Sequence, residues 1–107
     1  MSVVLVSVAL MVVFVASTSV CYAEKAEIVL NRPGCDYFIA LGNSGYYLLE
    51  WYGGYDPSEG DVIVGPISSY GLHDVYYPEF DNDGNVCVEN FWLQKNQALE
   101  EYIDHCQ

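Results

Sequence analysis

Basic residues are scarce in this sequence of 107 residues, which has only three Lys and Arg against fifteen Asp and Glu and a formal net charge of −12. Such a chain repels nucleic-acid phosphate and anionic lipid head groups. We therefore expect no nucleic-acid partner, and contact with a membrane only transiently, through an N-terminal signal peptide. Basic proteins or cations are better partners, although the charge would also serve simply to keep an aromatic surface soluble.

Histidine is also scarce, since His73 and His105 are the only two. Neither completes a catalytic triad or a metal-ligand set, so we predict no catalytic residue, no metal site and no cofactor. Glu50, beside Trp51, has no obvious second carboxylate with which to hydrolyse a glycoside. We therefore predict a protein that is not an enzyme, with a small hydrolase using Glu50 or His73 as an alternative.

The sequence has only one long hydrophobic run, VVLVSVALMVVFVA over Val3–Ala16. It is too short for a transmembrane helix, which needs about 20 apolar residues. A polar stretch and the small residue Ala23 follow, and this order is typical of a secretory signal peptide. We predict a signal peptide over residues 1–23 and a periplasmic or secreted protein. The alternatives are an uncleaved anchor and a lipid anchor at Cys21.

Residues 24–107 would then form a single small domain, rich enough in aromatic and aliphatic residues to fold but short enough to need a covalent staple. An oxidising compartment favours a disulfide among Cys35, Cys87 and Cys106, with one cysteine left over. Cys35 follows a Pro-Gly turn and Cys106 lies on the apolar side of a predicted helix. We predict the pair Cys35–Cys106, worth about 4 kcal/mol in the chain-entropy treatment, with Cys87–Cys106 as the alternative.

Apolar and aromatic residues alternate between Gly- and Pro-rich turns after residue 26, which predicts short β-strands. The predicted strands are Glu27–Asn31, Asp36–Leu41, Tyr46–Tyr52, Asp61–Ser69, Leu72–Tyr77 and Val86–Leu93. The third is apolar on both sides, so it is central or covered on its second face. The fourth is bent at Gly65-Pro66, because proline cannot donate to a sheet. The fold class is therefore mainly β, a small five- to six-stranded antiparallel barrel.

The final segment changes to helical spacing, which predicts a C-terminal helix over residues 96–106 that covers an open end or one face of the barrel. Asn96 is the expected N-cap. The expected buried stripe consists of Ala98, Leu99, Tyr102, Ile103 and Cys106.

Two acidic segments resemble metal loops but have simpler explanations. Residues 81–85, with Glu89, partly match a calcium loop, yet they lie between two strands, and Asp83-Gly84 predicts a hairpin turn. Asp56, Glu59 and Asp61 form a second cluster, which we interpret as a solvated loop.

Tyrosine is the abundant residue that could mark binding, because seven of the ten tyrosines fall within Tyr46–Tyr77. Exposed rings with hydroxyl tips bind protein, peptide or sugar well, although cross-strand aromatic pairing would also explain them. The candidate binding residues are Tyr46, Tyr52, Tyr55, Tyr70 and Tyr76. We expect a monomer that binds an unknown protein or small ligand through this tyrosine-rich face. An acidic secreted inhibitor or scavenger of a cationic protein or metal is an alternative.

The stretch WYGGYDPSEGDVIVGPISSYGLHDVYY resembles a group of small exported bacterial proteins of unassigned function, and the resemblance runs from about Cys35 to Cys106. GDVIVG, residues 60–65, is also similar to the Gly-Asp before a bent strand in small barrels of the OB or SH3-like kind. These resemblances imply an exported small barrel and carry over no catalytic residue. OB folds usually place their helix between strands three and four, whereas the helix here comes last.

Overall fold

Six antiparallel strands close into a barrel in the computed structural model of this protein, which describes residues 23–107. A single helix, α1, follows the last strand. The elements are β1 Glu24–Leu30, β2 Tyr37–Gly42, β3 Gly45–Gly54, β4 Val62–Gly65, β5 Gly71–Tyr77, β6 Asn82–Leu93 and α1 Lys95–His105. The predicted mainly β barrel with a C-terminal helix is confirmed. The predicted signal peptide falls on residues that, apart from Ala23, lie outside the described part of the chain.

The barrel is assembled from two meanders of three strands, with the strand order β1-β2-β3-β6-β5-β4. The first meander is β1-β2-β3 and the second is β4-β5-β6. They join along β3–β6 and along β1–β4. The β4–β5 pairing is the shortest, a single pair between Val64 and Tyr76, because β4 ends at Gly65 rather than at the predicted Ser69.

Alternate residues of the strands point into the barrel, as a pleated strand requires. They form one apolar core that includes residues of all six strands, closed by Ile67 just after β4. Its buried members are Ala26, Ile28, Phe38, Ala40, Tyr47, Leu49, Ile63, Ile67, Val75, Tyr77, Val86 and Val88. Burial of this apolar surface is the main force that stabilises the fold.

β3 is buried on both faces, as its sequence predicts. Leu49 points into the barrel, whereas Leu48 points outwards and is fully buried in a second cluster beneath α1. Ala98 and Tyr102 of the helix pack there against Ile39 and Leu48. The helix therefore covers the outer face of β2 and β3 rather than an end of the barrel.

Helix α1 differs from its prediction at its start and in its buried stripe. It begins at Lys95 with Gln94 as the N-cap, so the predicted cap at Asn96 is wrong. Only Ala98 and Tyr102 are buried, whereas Leu99 and Ile103 are 38% and 54% exposed. A helix that rests on two strands buries the narrow i, i+4 stripe and leaves the positions next to it in solvent.

The turn before β6 also differs from its prediction. β6 begins at Asn82, so the predicted Asp-Gly hairpin turn is wrong, and residues 78–81 make the turn instead. Asp81 supplies the required positive φ, 47°. Gly54 is the glycine that close approach requires, since a Cβ on it would lie only 2.6 Å from the Cα of the facing Gly84.

The predicted disulfide between Cys35 and Cys106 is confirmed, with Cα atoms 5.5 Å apart and a sequence separation of 71. It ties the end of α1 to the loop that precedes β2. Cys87 is half-buried and forms no disulfide with another described cysteine. Burial raises the pKa of its thiol, with Glu50 and Glu89 acting in the same direction.

Candidate functional site

Large exposed side chains lie on the outer side of β5, at Tyr52 near the end of β3 and at Tyr70 just before β5. We call this surface the tyrosine face. Leu72 and Tyr76 point outwards from β5, since Val75 and Tyr77 between and beside them are buried inside the barrel. The exposed fractions are 55% for Tyr52, 65% for Tyr70, 62% for Leu72 and 38% for Tyr76.

Two rings of the tyrosine face are fixed by their own hydroxyl groups. Tyr70 Oη donates to Asn90 Oδ1 at 3.3 Å, and its ring lies 4.8 Å from that of Phe91. Tyr76 Oη donates to Asp81 Oδ1 at 2.7 Å, and this hydrogen bond raises the pKa of Tyr76. Both rings are therefore held in place before any partner arrives.

A shallow depression of about 600 Å³ runs across the tyrosine face. Tyr52 and Leu72 supply its apolar walls, and Asp74 supplies a carboxylate. Asn85 Nδ2 donates to Asp74 Oδ1 and so orients that carboxylate. The full lining is Tyr52, Pro66, Leu72, His73, Asp74 and Asn85.

The strands that carry the tyrosine face have outward carboxylates and no Lys or Arg. β3, β5 and β6 contain no Lys or Arg, whose three copies lie at Lys25, Arg32 and Lys95. The outward carboxylates of these three strands are Glu50, Asp74, Asp83 and Glu89. The tyrosine face is therefore both aromatic and acidic.

The structure exposes Tyr52, Tyr70 and Tyr76 of the five predicted tyrosines, with Tyr52 lining the depression, and places the other two elsewhere. Tyr46 is half-buried and packs against the cluster beneath α1. Tyr55 lies at one end of the barrel, where its ring is 4.8 Å from Tyr77.

Leu72 and Trp92 are exposed residues that the sequence argument did not select. Alternation in β5 places Leu72 on the same side as Tyr76, and this signal is available in the sequence. Trp92 is 55% exposed and its ring lies edge-on to Phe91, with centroids 5.2 Å apart. Its φ is 57°, a backbone conformation that tryptophan rarely adopts. The sequence therefore gives no reason to expect this conformation.

A polar cluster closes the end of the barrel at which β1 begins. The hydroxyl groups of Tyr47 and Ser68 both donate to the Glu24 carboxylate. Burial acts to raise the pKa of Glu24, but these hydrogen bonds, with Trp92 acting in the same direction, lower it below its usual value. Burial and the hydrogen bond to Glu24 raise the pKa of Tyr47 to about 12. The cluster is satisfied internally and serves the fold.

The opposite end of the barrel holds a buried carboxylate, Asp61, which the sequence interpretation placed in solvent. That interpretation is wrong for Asp61, since its Oδ2 accepts from Tyr55 Oη and from the Ser58 backbone, both at 2.8 Å. A carboxylate that ties down a loop is buried because its hydrogen bonds replace water.

A second cavity, of about 660 Å³, opens beside this loop. We call it the loop cleft. It lies between residues 31–36 and 56–59, and Trp51 lines it as well.

The histidines and Glu50 occupy separate surroundings. A ring nitrogen of His73 lies 2.9 Å from the Ser69 carbonyl. His105 lies 3.4 Å from Glu89, and its ring packs at a tilt against that of Tyr37, with centroids 4.4 Å apart. Glu50 is on the outside of β3, whereas Trp51 packs against the barrel core, so the two point to opposite faces.

Residues 23–107 contain no group of three or more His, Cys, Asp or Glu side chains arranged to hold a metal ion. Over the same range, no helix combines the length and the apolar character needed to cross a membrane.

Comparisons with known proteins gave no relative: no protein-family model, no curated protein and no solved structure matches this chain.

Proposed function

We propose that this protein is an exported binding module, without enzymatic activity, that holds a basic segment of another protein against the tyrosine face. The observation that carries the proposal is that exposed rings and outward carboxylates lie on strands that contain no Lys or Arg. The signal-like N-terminal sequence and the Cys35–Cys106 disulfide support a periplasmic or secreted location.

The exposed side chains supply binding energy. Tyr52 and Leu72 are each more than half exposed on neighbouring parts of one depression. Burying a large apolar side chain contributes about 1.5–3 kcal/mol, and the two would be covered by the same partner segment. The face is built on paired strands, so little ordering is required when a partner binds.

The charge of the face determines which partner it fits. Asp74 lines the depression with Tyr52 and Leu72, and β3, β5 and β6 carry no Lys or Arg. Such a surface attracts Lys and Arg side chains and repels acidic proteins, and the attraction weakens as salt is added. The same contact inhibits a cationic protein when the segment that it covers belongs to that protein's active or binding site.

The double variant Tyr52→Ser/Leu72→Ser tests the role of the rings. Fluorescence anisotropy measures the binding of a labelled peptide of alternating lysine and leucine, with an alternating glutamate and leucine peptide as the control. We expect the lysine peptide to bind wild type and the double variant to bind about tenfold more weakly, since losing a contact side chain costs more than about 1 kcal/mol.

Ile103→Ser is the matched control, because Ile103 is exposed to the same degree as Tyr52 but lies on the helix. It should leave the affinity unchanged. Asp74→Asn should flatten the salt dependence, whereas Asp104→Asn on the helix should not. Equal losses in Tyr52→Ser/Leu72→Ser and Ile103→Ser, or equal binding of the glutamate peptide, would disprove the proposal.

A further inference from the structure

The loop cleft is separate from the tyrosine face, since its residues come from two loops and the end of β3. One wall is residues 31–36, between β1 and β2, and the other is residues 56–59, between β3 and β4. Trp51 borders both. A cavity of about 660 Å³ falls within the usual size range of small-molecule sites.

The first wall of the loop cleft is fixed by contacts of three kinds. Cys35 is held by the disulfide to Cys106. The backbone N–H of Arg32 donates to Tyr102 Oη at 3.0 Å. Asn31 reaches across the cleft, where its Nδ2 donates to the Pro57 carbonyl at 2.6 Å.

The second wall is fixed as firmly. Buried Asp61 accepts from the backbone of Ser58 at 2.8 Å, and Glu59 Oε2 accepts from the backbone of Asn31 at 3.0 Å. The indole N–H of Trp51 donates to the Tyr55 carbonyl at 3.1 Å, which orients the ring at the base of this loop. The cleft is thus shaped before a ligand enters, and preorganisation of this kind favours binding.

Opposite charges line the loop cleft without neutralising each other. Arg32 lines the cleft together with three acidic residues, Asp36, Asp56 and Glu59, and the Glu59 carboxylate already accepts from the Asn31 backbone. Within residues 23–107 the one ion pair of 4 Å or less joins His105 and Glu89, so Arg32 pairs with none of the three. A cation and an excess of anions around one cavity can contact both charges of a ligand that carries an ammonium and a carboxylate group.

We propose that the loop cleft binds a small zwitterion of the amino-acid and short-peptide class. The ligand's carboxylate pairs with the Arg32 guanidinium, which offers a planar set of donors suited to carboxylates. Its ammonium group lies between Asp36 and Asp56. The indole of Trp51 provides the apolar wall for the carbon skeleton that joins the two charges, and it can also attract the ammonium group.

The dipeptide L-alanyl-L-alanine is a suitable probe, added to ¹⁵N-labelled protein purified after export. Amide and indole N–H signals in two-dimensional NMR spectra report binding. We expect saturable shifts at the Trp51 indole and at Gly34, which both line the cleft. The N-acetylated probe lacks the ammonium group and the C-amidated probe lacks the carboxylate, so each should bind about tenfold more weakly.

Arg32→Gln removes the proposed carboxylate partner while keeping the backbone N–H that Tyr102 accepts. It should weaken binding of the dipeptide about tenfold and leave the C-amidated probe unaffected. Lys95→Gln, which removes a cation outside the cleft, should change neither. The absence of shifts at about 10 mM dipeptide, or equal affinity for the N-acetylated form, would overturn the proposal.

Discussion

At the scale of single residues, two buried tyrosines differ in whether their hydroxyl groups are satisfied. Tyr77 is fully buried, and within the described residues its hydroxyl is a buried polar atom with no hydrogen-bond partner. Tyr47 is equally buried, but its hydroxyl donates to Glu24. Replacing tyrosine by phenylalanine, which removes only the hydroxyl group, should therefore change the free energy of unfolding differently at the two positions.

Tyr77→Phe should leave the free energy of unfolding unchanged or raise it by about 1 kcal/mol, because it removes a desolvated hydroxyl that gains nothing in return. Tyr47→Phe should lower it by about 1.5–3 kcal/mol, because it removes a hydrogen bond to a carboxylate. Urea unfolding followed by tryptophan fluorescence measures both. A Tyr77→Phe protein as unstable as Tyr47→Phe would contradict this account.

The residues that resist prediction from sequence are those whose surroundings are set by distant segments. Asp61 lies in an acidic stretch that indicates solvent, yet it is buried because Tyr55 and Ser58 fold over it. Asp83-Gly84 has the composition of a turn but lies in a strand, where Gly84 pairs with Gly54 of β3. Pairing of the strands overrides these local signals.

At the scale of elements, the alternation of apolar residues predicts most strands, and the two-sided apolar character of β3 correctly predicts its double burial. The candidate site is less predictable from the sequence. Strand alternation points Tyr52 and Tyr76 outwards, and Tyr70 is exposed just before β5, but Tyr46 leaves the exposed set because it packs against the cluster beneath α1. The sequence does not reveal the position of the helix. An apolar stripe predicts that one side of the helix is buried, but it does not specify which part of the barrel that side covers.

His105 makes the docking of α1 sensitive to pH. Its hydrogen bond to the Glu101 carbonyl raises the pKa of His105, burial opposes this, and the nearby Glu89 raises it further. The charge of Glu101 acts in the same direction, and the ring of Tyr37 packs against the imidazole. Because the folded pKa is raised, the stabilisation is complete below the unfolded value of about 6.5 and is lost as the pH rises through the folded value.

Wild type should therefore lose stability relative to His105→Gln between about pH 6 and about pH 8, by less than about 1 kcal/mol because the ion pair is partly exposed. Thermal unfolding across this pH range measures the difference. His73→Gln is the control and should keep the pH dependence of wild type. A pH-independent difference between wild type and His105→Gln would show that the imidazole acts only through packing.

At the scale of the whole molecule, the disulfide joins the helix to the barrel across 71 residues of sequence. Replacing both cysteines, Cys35→Ser/Cys106→Ser, should lower the free energy of unfolding by about 4 kcal/mol, because the unfolded chain regains the freedom that the closed loop removes. Urea unfolding with and without reductant measures this loss. Cys87→Ser is the control and should respond to reductant as wild type does.

A loss in the double variant no greater than that in Cys87→Ser would contradict the assignment of the staple. The same double variant also loosens one wall of the loop cleft, since Cys35 lies in it. Binding of the dipeptide should then weaken together with stability.

The division of the barrel into two three-stranded meanders also governs the order in which the chain can fold as it is synthesised. A chain that emerges from its N-terminus first presents β1, β2 and β3 before their outer partners, so β3 has a free edge until β6 follows. Such an edge is a template for pairing between molecules. The interval between the arrival of the two meanders is therefore the period in which an escort protein would be needed most.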